Sequence, residues 1–331
     1  MPSQAQAQPF DDRGTLGGDW DGPSCSAGPD ALKGLRDHVN ARLDQLVTAG
    51  EGEPESLNRA MRQALLAPGK RVRPLLVMLT VGEFGLDPGL GLDAGCAIEL
   101  IHTASLILDD LPCMDDAKTR RGEPATHVAF GEATAVLASI AMLSRAFGVL
   151  AEMDRVALPV RLELVRILAR AAGAEGLAAG QERDLKERAP LDPMTKIDAI
   201  NDLKTGALFI AALEIGGLIA GATPPQLSAL TAAGREVGLA FQTLDDVIDV
   251  KRSTAQAGKD TGKDLGKGTI AAVEGIEAAR AEVARHAIRA QAAIEPFAKP
   301  GGPLRGFVAA LLEQAADSAA QASGSACGIG G

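Results

Sequence analysis

GLDAGCAIELIHTASLILDDLPCMDD, residues 91–116, runs as an almost unbroken apolar stretch into four aspartates, Asp109, Asp110, Asp115 and Asp116. A second long stretch ends the same way in FQTLDDVID, residues 241–249. Both stretches favour helix, and packing gives carboxylates no reason to gather at their ends. Two carboxylates about 4 Å apart repel by roughly 4 kcal/mol at an effective dielectric near 20. Bringing both clusters to one place therefore calls for cations between them. Hard carboxylate oxygens without His or Cys partners suit Mg²⁺, which is commonly shared with substrate phosphates. The pattern points to metal-diphosphate chemistry on helices.

The rest of the chain agrees with helices. Apolar residues make up 46% of it, aromatics only 3%, and Tyr is absent, which favours close-packed helices over sheets. Apolar periodicity predicts helices over 30–49, 55–67, 71–85, 91–111, 131–153, 158–173, 194–203, 205–221, 225–250, 269–296 and 303–317. No alternating strand pattern and no internal repeat is found. The expectation is an all-α, single-domain bundle over 30–317, with disordered tails at 1–29 and 318–331 where Gly, Ser, Ala, Gln and Pro replace the apolar period. The net charge of -10 argues against nucleic acid as a partner. Cys25, Cys96, Cys113 and Cys327 lack metal-ligand spacing and read as free thiols in a reducing, cytoplasmic setting. The N-terminus carries neither a basic nor an apolar leader pattern. Gly206–Ala222 is the nearest thing to a membrane span, but Glu214 and its glycines make it a core helix. No transmembrane segment is expected.

Spacing sorts the candidate residues. On a helix Asp245 and Asp249 stack on one face with Gln242, and Asp246 lies about 100° round. Asp109 and Asp115 cannot share a helical face, and Pro112 disfavours unbroken helix, so the chain is expected to turn and return Asp115. A helix ending at 109–111 adds its negative dipole end to the carboxylates. A lone acidic helix end is commonly just solvated, and the calcium-loop ladder is missing. Opposite charge comes from Lys70, Arg71 and Arg73 at a helix start, a place where anions bind well. Arg120 and Arg121 follow the first acids. The Gly- and Lys-rich stretch 258–268 lacks the P-loop pattern and has no preceding strand; it reads as a loop closing over diphosphate through Lys259 and Lys267. Gly180–Asp184 and Lys204-Thr205 are weaker signals.

With these motifs in order, residues 35–300 resemble the short-chain trans-prenyltransferases, the polyprenyl synthetase family. Gly69-Lys70-Arg71-Val72-Arg73-Pro74 resembles its isopentenyl diphosphate motif. Asp109-Asp110 with Asp115 resembles its first Asp-rich motif in the longer form, and Asp245-Asp246 with Asp249 its second. The resemblance implies an isoprenoid-synthase-like bundle with a deep central cavity, working as a homodimer. It implies that Asp109, Asp110, Asp115 and Asp245 hold a cluster of Mg²⁺ ions (three by that resemblance), assisted by Asp246 and Asp249. Arg120, Lys204 and Lys259 would complete the allylic diphosphate site, and Lys267 also falls where the family places it. Lys70, Arg73, His102 and Arg121 would bind isopentenyl diphosphate. Thr205 and Gln242 would shelter the allylic cation.

Product length is read from Ala104 and Ser105, one turn beneath Asp109 on roughly the same face. Both are small, which leaves depth for a twenty-carbon product; Met142 or Phe147 could set a shallower floor and stop at fifteen. Leu108 and Ala138-Ser139-Ile140 depart from the usual family residues. A class I terpene synthase would not need the Gly69–Pro74 motif. A non-catalytic regulatory subunit would be expected to have lost acids or basic residues that are all present here.

Overall fold

The computed structural model describes residues 28–48, 50, 52–186, 202–256, 275–299 and 301–310, without the side chains of 202, 204, 245–256 and 276. The predicted tails, the helix over 194–200, and Lys259 and Lys267 lie outside the described residues. The fold is all-α, and its contacts group into two compact units, Met1–Leu168 with Ile215–Thr223, and Ala169–Glu214 with Pro224–Gly331.

The first unit is built on α3 (Val72–Glu83) and α4 (Leu92–Asp109), which are apolar nearly all round and nearly all buried. A helix without a polar face must be enclosed by others. α1 (Pro29–Leu46) buries the stripe Leu35, Val39, Leu43 and Leu46, and α2 (Glu55–Leu66) buries Ala60 and Leu65. α6 (Glu132–Glu152) packs most extensively on α4. Its buried face is mainly small, with Ala135, Ala138, Ser139 and Ala146. α3 and α4 meet closely at Gly95, where a Cβ would lie 2.9 Å from the Cα of Pro74. Between them a short 3₁₀ turn, Pro88–Gly91, is capped by Asp87, whose Oδ1 accepts from the Gly89 amide at 2.7 Å.

Two features escape apolar periodicity. Strands β1 (Thr119–Arg120) and β2 (Glu123–Pro124) pair antiparallel, Thr119 opposite Pro124. Each is two residues long, too short to show alternation. The linking residues Arg121 and Gly122 both have positive φ, 53° and 87°, as a type I′ hairpin turn requires. The short helix α5 (Thr126–Phe130) follows directly. The hairpin corrects the expectation of no strand.

α7 (Leu158–Ala172) leads into the second unit, where α8 (Leu177–Lys186) was also not predicted. Residues 202–206 form a π-helical turn rather than the end of one helix and the start of another. α9 (Ala207–Ile219) follows, then α10 (Pro224–Gln256) and α11 (Ile276–Ile294), which pack extensively on each other. Gly275, at φ 90°, precedes α11, and the predicted start at 269 lies outside the described residues. Gly234 and Gly238 bring α10 against the 206–210 backbone, where a Cβ would lie 2.7 Å from Ile210 Cα and 2.8 Å from Gly206 Cα.

Among the described residues two helical stretches are long and apolar enough to cross a membrane, Pro88–Asp109 and Glu132–Glu152; the apolar window of the first is 78% buried in the protein, that of the second 39%. α9, the segment singled out from sequence, is shorter, and Leu208, Phe209, Leu213 and Ile215 on it are buried.

Gly95→Ala is expected to destabilise the protein by about 1–3 kcal/mol, because its methyl meets backbone that cannot step aside. Equilibrium denaturation of the two proteins measures the difference.

Candidate active site

α4 ends where its sequence turns acidic. Pro112 cannot continue the helix, and the backbone folds over Leu111, whose carbonyl accepts from Met114 and Asp116 at 2.9 and 3.1 Å. The Asp115 amide donates to the Asp109 carbonyl at 3.0 Å, so the chain returns Asp115 to the helix end as expected. Asp109 is half-buried and Asp115 exposed. Asp110 behaves differently. It is 2% exposed, and Arg120 grips its carboxylate through Nε, at 3.0 Å to Oδ1 and 3.2 Å to Oδ2, and through Nη2. This bond raises the Arg120 pKa, and the charges of Asp110, Asp109 and Asp115 raise it further against burial. All three carboxylates therefore share the field of one guanidinium. Arg120 and Asp110, both read from sequence as separate ligands, are partners in this structure.

Two turns up α4 sits His102, about 10 Å from the helix end at 1.5 Å per residue. Burial holds its imidazole well below the ordinary value of 6.5, and Arg73, Arg121, Arg71 and Arg120 push it the same way. Arg71 and Arg120 hold protein carboxylates of their own, so Arg73 and Arg121 are the members of this group that suit an anion beside the neutral histidine. Arg121 reaches it from the hairpin turn and lies against Gly69, where a Cβ would be 3.2 Å from its Nη1. Burial lowers the Arg121 pKa, Glu99 raises it, and Arg71 and Arg120 lower it again. Arg73 is half-buried and Lys70 exposed. A small open cleft of about 30 Å³ is lined by Arg120, Arg121 and Asp110, with Thr103 and Leu106.

Arg71 corrects the sequence reading of the basic triplet. It is 3% exposed and its guanidinium is spent on protein acceptors, so it does not face an anion. Its ion-pair partner Glu99, 2.9 Å away and also 3% exposed, was not singled out from sequence. The available signal was a lone acid inside the apolar run Ala97-Ile98-Glu99-Leu100-Ile101. Among the described residues, the only non-glycines at positive φ are Arg71, Asp116 and Arg121, at 51°, 48° and 53°. All three sit in the loops that carry candidate residues, where strain concentrates at functional sites.

In the second unit Lys204 and Thr205 lie in the π-helical turn, a geometry common at functional sites. The Thr205 hydroxyl donates to Gln242 Oε1 at 2.6 Å, joining that turn to α10. Phe209 and Phe241 stack beside them with centroids 5.0 Å apart. Asp245, Asp246 and Asp249 continue the backbone of α10, and their side chains, like that of Lys204, lie outside the described residues. Gln181 of the weaker Gly180–Asp184 signal is buried in α8.

The residues proposed to set product length are buried on α4. Ala104 is fully enclosed, and the Ser105 hydroxyl donates to its own helix at the His102 carbonyl, 2.8 Å away. Met142 is fully buried on α6 and Phe147 half-buried. Of the departures from the family pattern, Ser139 is buried with its hydroxyl on the Ala135 carbonyl, Leu108 is half-buried, and Ile140 is 53% exposed.

His102 generates a pH prediction. Unfolded, it titrates near 6.5; folded, it stays neutral to lower pH. The folded state therefore binds fewer protons below about 6.5, so this contribution is intact above that pH and is lost as pH falls through it. His102→Gln is expected to lose less melting temperature than the parent between about pH 7.5 and 5.5, measured by thermal unfolding of the unliganded proteins.

Known proteins share this architecture. Residues 54–296 match the polyprenyl synthetase family. A geranylgeranyl diphosphate synthase from Pantoea ananas is 38% identical, over 86% of this chain and 94% of that one. A farnesyl diphosphate synthase from Geobacillus stearothermophilus is 40% identical, over 76% of this chain and 86% of that one. The solved structure of an FPP/GFPP synthase from Zymomonas mobilis superposes with a TM-score of 0.76 at 35% identity, covering 86% of this chain and 98% of that one. With this helical fold and these relatives, the chain belongs to the polyprenyl synthetase family and is a short-chain prenyl diphosphate synthase, a transferase.

Proposed function

We propose that this enzyme elongates allylic diphosphates with isopentenyl diphosphate by ionisation, condensation and elimination, and that it releases the twenty-carbon geranylgeranyl diphosphate. One observation carries the reading. His102, near which Arg73 and Arg121 carry their charge, and Asp109, to whose carbonyl the turn returns Asp115, stand on one helix about 10 Å apart. That spacing supports a separate anchorage for each of two diphosphates, one met by cationic side chains and one suited to metal.

The backbone bond from the Asp115 amide to the Asp109 carbonyl brings both residues to one turn, and their carboxylate oxygens are of the hard kind that suits Mg²⁺. Asp109 and Asp115 would hold the metal on the first unit, and Asp245, Asp246 and Asp249 on the second; Asp110 supports through Arg120. Bound Mg²⁺ would supply charge stabilisation for the departing diphosphate. Arg120 would neutralise the same group, and the family resemblance would add Lys204 and Lys259, with Lys267 as a further donor from the 258–268 stretch. Lys70, Arg73 and Arg121 clamp the other diphosphate, with neutral His102 donating one hydrogen bond. The attacking double bond is thereby fixed in place, which is worth more than any contact with the hydrocarbon. Thr205 and Gln242, locked to each other, offer oxygen lone pairs to the allylic cation. The last proton leaves to the departed diphosphate.

The small, buried Ala104 and Ser105 support a twenty-carbon product, as do the relatives named for that activity. A fifteen-carbon product is the second reading, favoured by the Geobacillus relative and by the fully buried Met142. A homodimer fits α6, where Val136, Leu137 and Ile140 are 37%, 56% and 53% exposed beside the buried Ala135, Ala138 and Ser139. The free thiols Cys96 and Cys113 fit a cytoplasmic setting.

Incubation with Mg²⁺, isopentenyl diphosphate and primers of five to fifteen carbons is expected to end at twenty carbons. Asp109→Asn and Asp115→Asn should each lower kcat by about 10²-fold or more, and Ser105→Phe should shorten the product to fifteen carbons. A parent product of fifteen carbons would move the floor to another helix. Light scattering is expected to give the mass of a dimer for the parent, and a monomer for Leu137→Lys.

A further inference from the structure

We infer that Arg71, the middle basic residue of Gly69–Pro74, is a positioning residue for the isopentenyl diphosphate site: a buried guanidinium strut that sets where Lys70, Arg73, His102 and Arg121 stand relative to one another. The inference rests on the assignment of those four residues to that diphosphate.

The geometry is specific. Arg71 Nε donates to Asn40 Oδ1 on α1 at 2.9 Å, and Nη1 to Glu99 Oε1 on α4 at 2.9 Å. Nη2 donates to the Leu65 and Ala67 carbonyls at the end of α2, at 2.8 and 3.0 Å. Those carbonyls are among the acceptors a helix C-terminus leaves unpaired. The Arg71 carbonyl meanwhile accepts from the Leu75 amide at 3.1 Å, opening α3. One residue thus closes α2, starts α3, and pins both to α1 and α4. Between the two clamps lie Gly69 and Lys70, and Arg73 stands in the first turn of α3. Gly69 is the point against which the Arg121 guanidinium packs. Glu99 precedes His102 by three residues, roughly one turn along α4.

The clamp also holds a left-handed backbone, φ 51°, at a residue with a long side chain. Lys in its place would keep the charge beside Glu99 and lose the planar fork, so a single ammonium could not serve Asn40, Glu99 and both carbonyls. Its effect is therefore one of geometry, with the cationic charge retained.

The full chain is assayed by steady-state kinetics with Mg²⁺, isopentenyl diphosphate and farnesyl diphosphate, alongside thermal unfolding. Arg71→Lys is expected to raise KM for isopentenyl diphosphate about tenfold, and Asn40→Ala, which removes one acceptor, about threefold. KM for the allylic substrate and kcat should stay within about twofold, since misplacement acts on one site. Arg121→Gln tests the site itself and should raise the same KM. If Arg121→Gln raises it while Arg71→Lys and Asn40→Ala do not, the positioning role is refuted and the site stands. If Arg121→Gln leaves it unchanged, the site assignment falls. Both KM values and kcat moving together with a drop in melting temperature would reduce Arg71 to a fold residue. Should Arg71→Lys not fold, the split in Asn40→Ala decides the matter.

Discussion

The ion pair between Asp110 and Arg120 is the contact on which the candidate site depends. It ties a two-stranded hairpin of minimal length to the end of a buried helix, something four strand residues could not do alone. Once Arg120 is held, the type I′ turn delivers the next residue, Arg121, to Gly69 and the basic cluster. The pair also divides the labour among three neighbouring carboxylates. Asp110 is buried against Arg120, whereas Asp109 is half-buried and Asp115 exposed. Truncating one partner would strand the other charge in a largely buried setting, a costlier event than the loss of a surface salt bridge.

α4 can be seen as a rod that keeps opposite charges apart. Its apolar body is enclosed by α3 and α6, while its C-terminal end gathers acid and the stretch around His102 gathers guanidiniums. The guanidiniums come to this rod from α3 and the hairpin, and groups fixed by packed elements keep their spacing without reorganising, the condition under which electrostatics contribute most to catalysis. The closeness of this packing comes from glycine. At Gly95, and in the second unit at Gly234 and Gly238, backbone meets backbone at distances that a methyl group would not allow. The three strained non-glycine residues lie in the loops around this rod and nowhere else among the described residues. Strain there is held by specific bonds, of which those to Arg71 are the most complete.

Most of the helices were legible in the sequence because long apolar periods leave few alternatives. α1, α2, α3, α4, α6 and α7 fall within about three residues of their predicted ends. α8 was not, since Leu177–Lys186 is largely polar, and neither was the π-helical turn, which has no signature in periodicity. The candidate residues were legible by type and order. Their states were less so. Arg71 and Arg73 read alike along the chain, yet one is walled in by α1, α2 and α4 and the other is not. Glu99 and Asn40 carry no motif; they matter only because the fold brings Arg71 between them.

By itself the sequence determined an all-α protein, two acid clusters, and a set of basic residues in the order of a prenyltransferase. Local rules suffice for that: apolar period fixes helix, Pro112 forces a turn, and hard carboxylates select a hard cation. Tertiary structure alone decided which charges are buried on protein partners, as Arg71 is on Glu99, and which keep contact with water, as Lys70 does. The reason is physical. Whether a guanidinium is a ligand or a strut depends on which acceptors surround it and how much water it keeps, and those are properties of neighbours far apart in the chain.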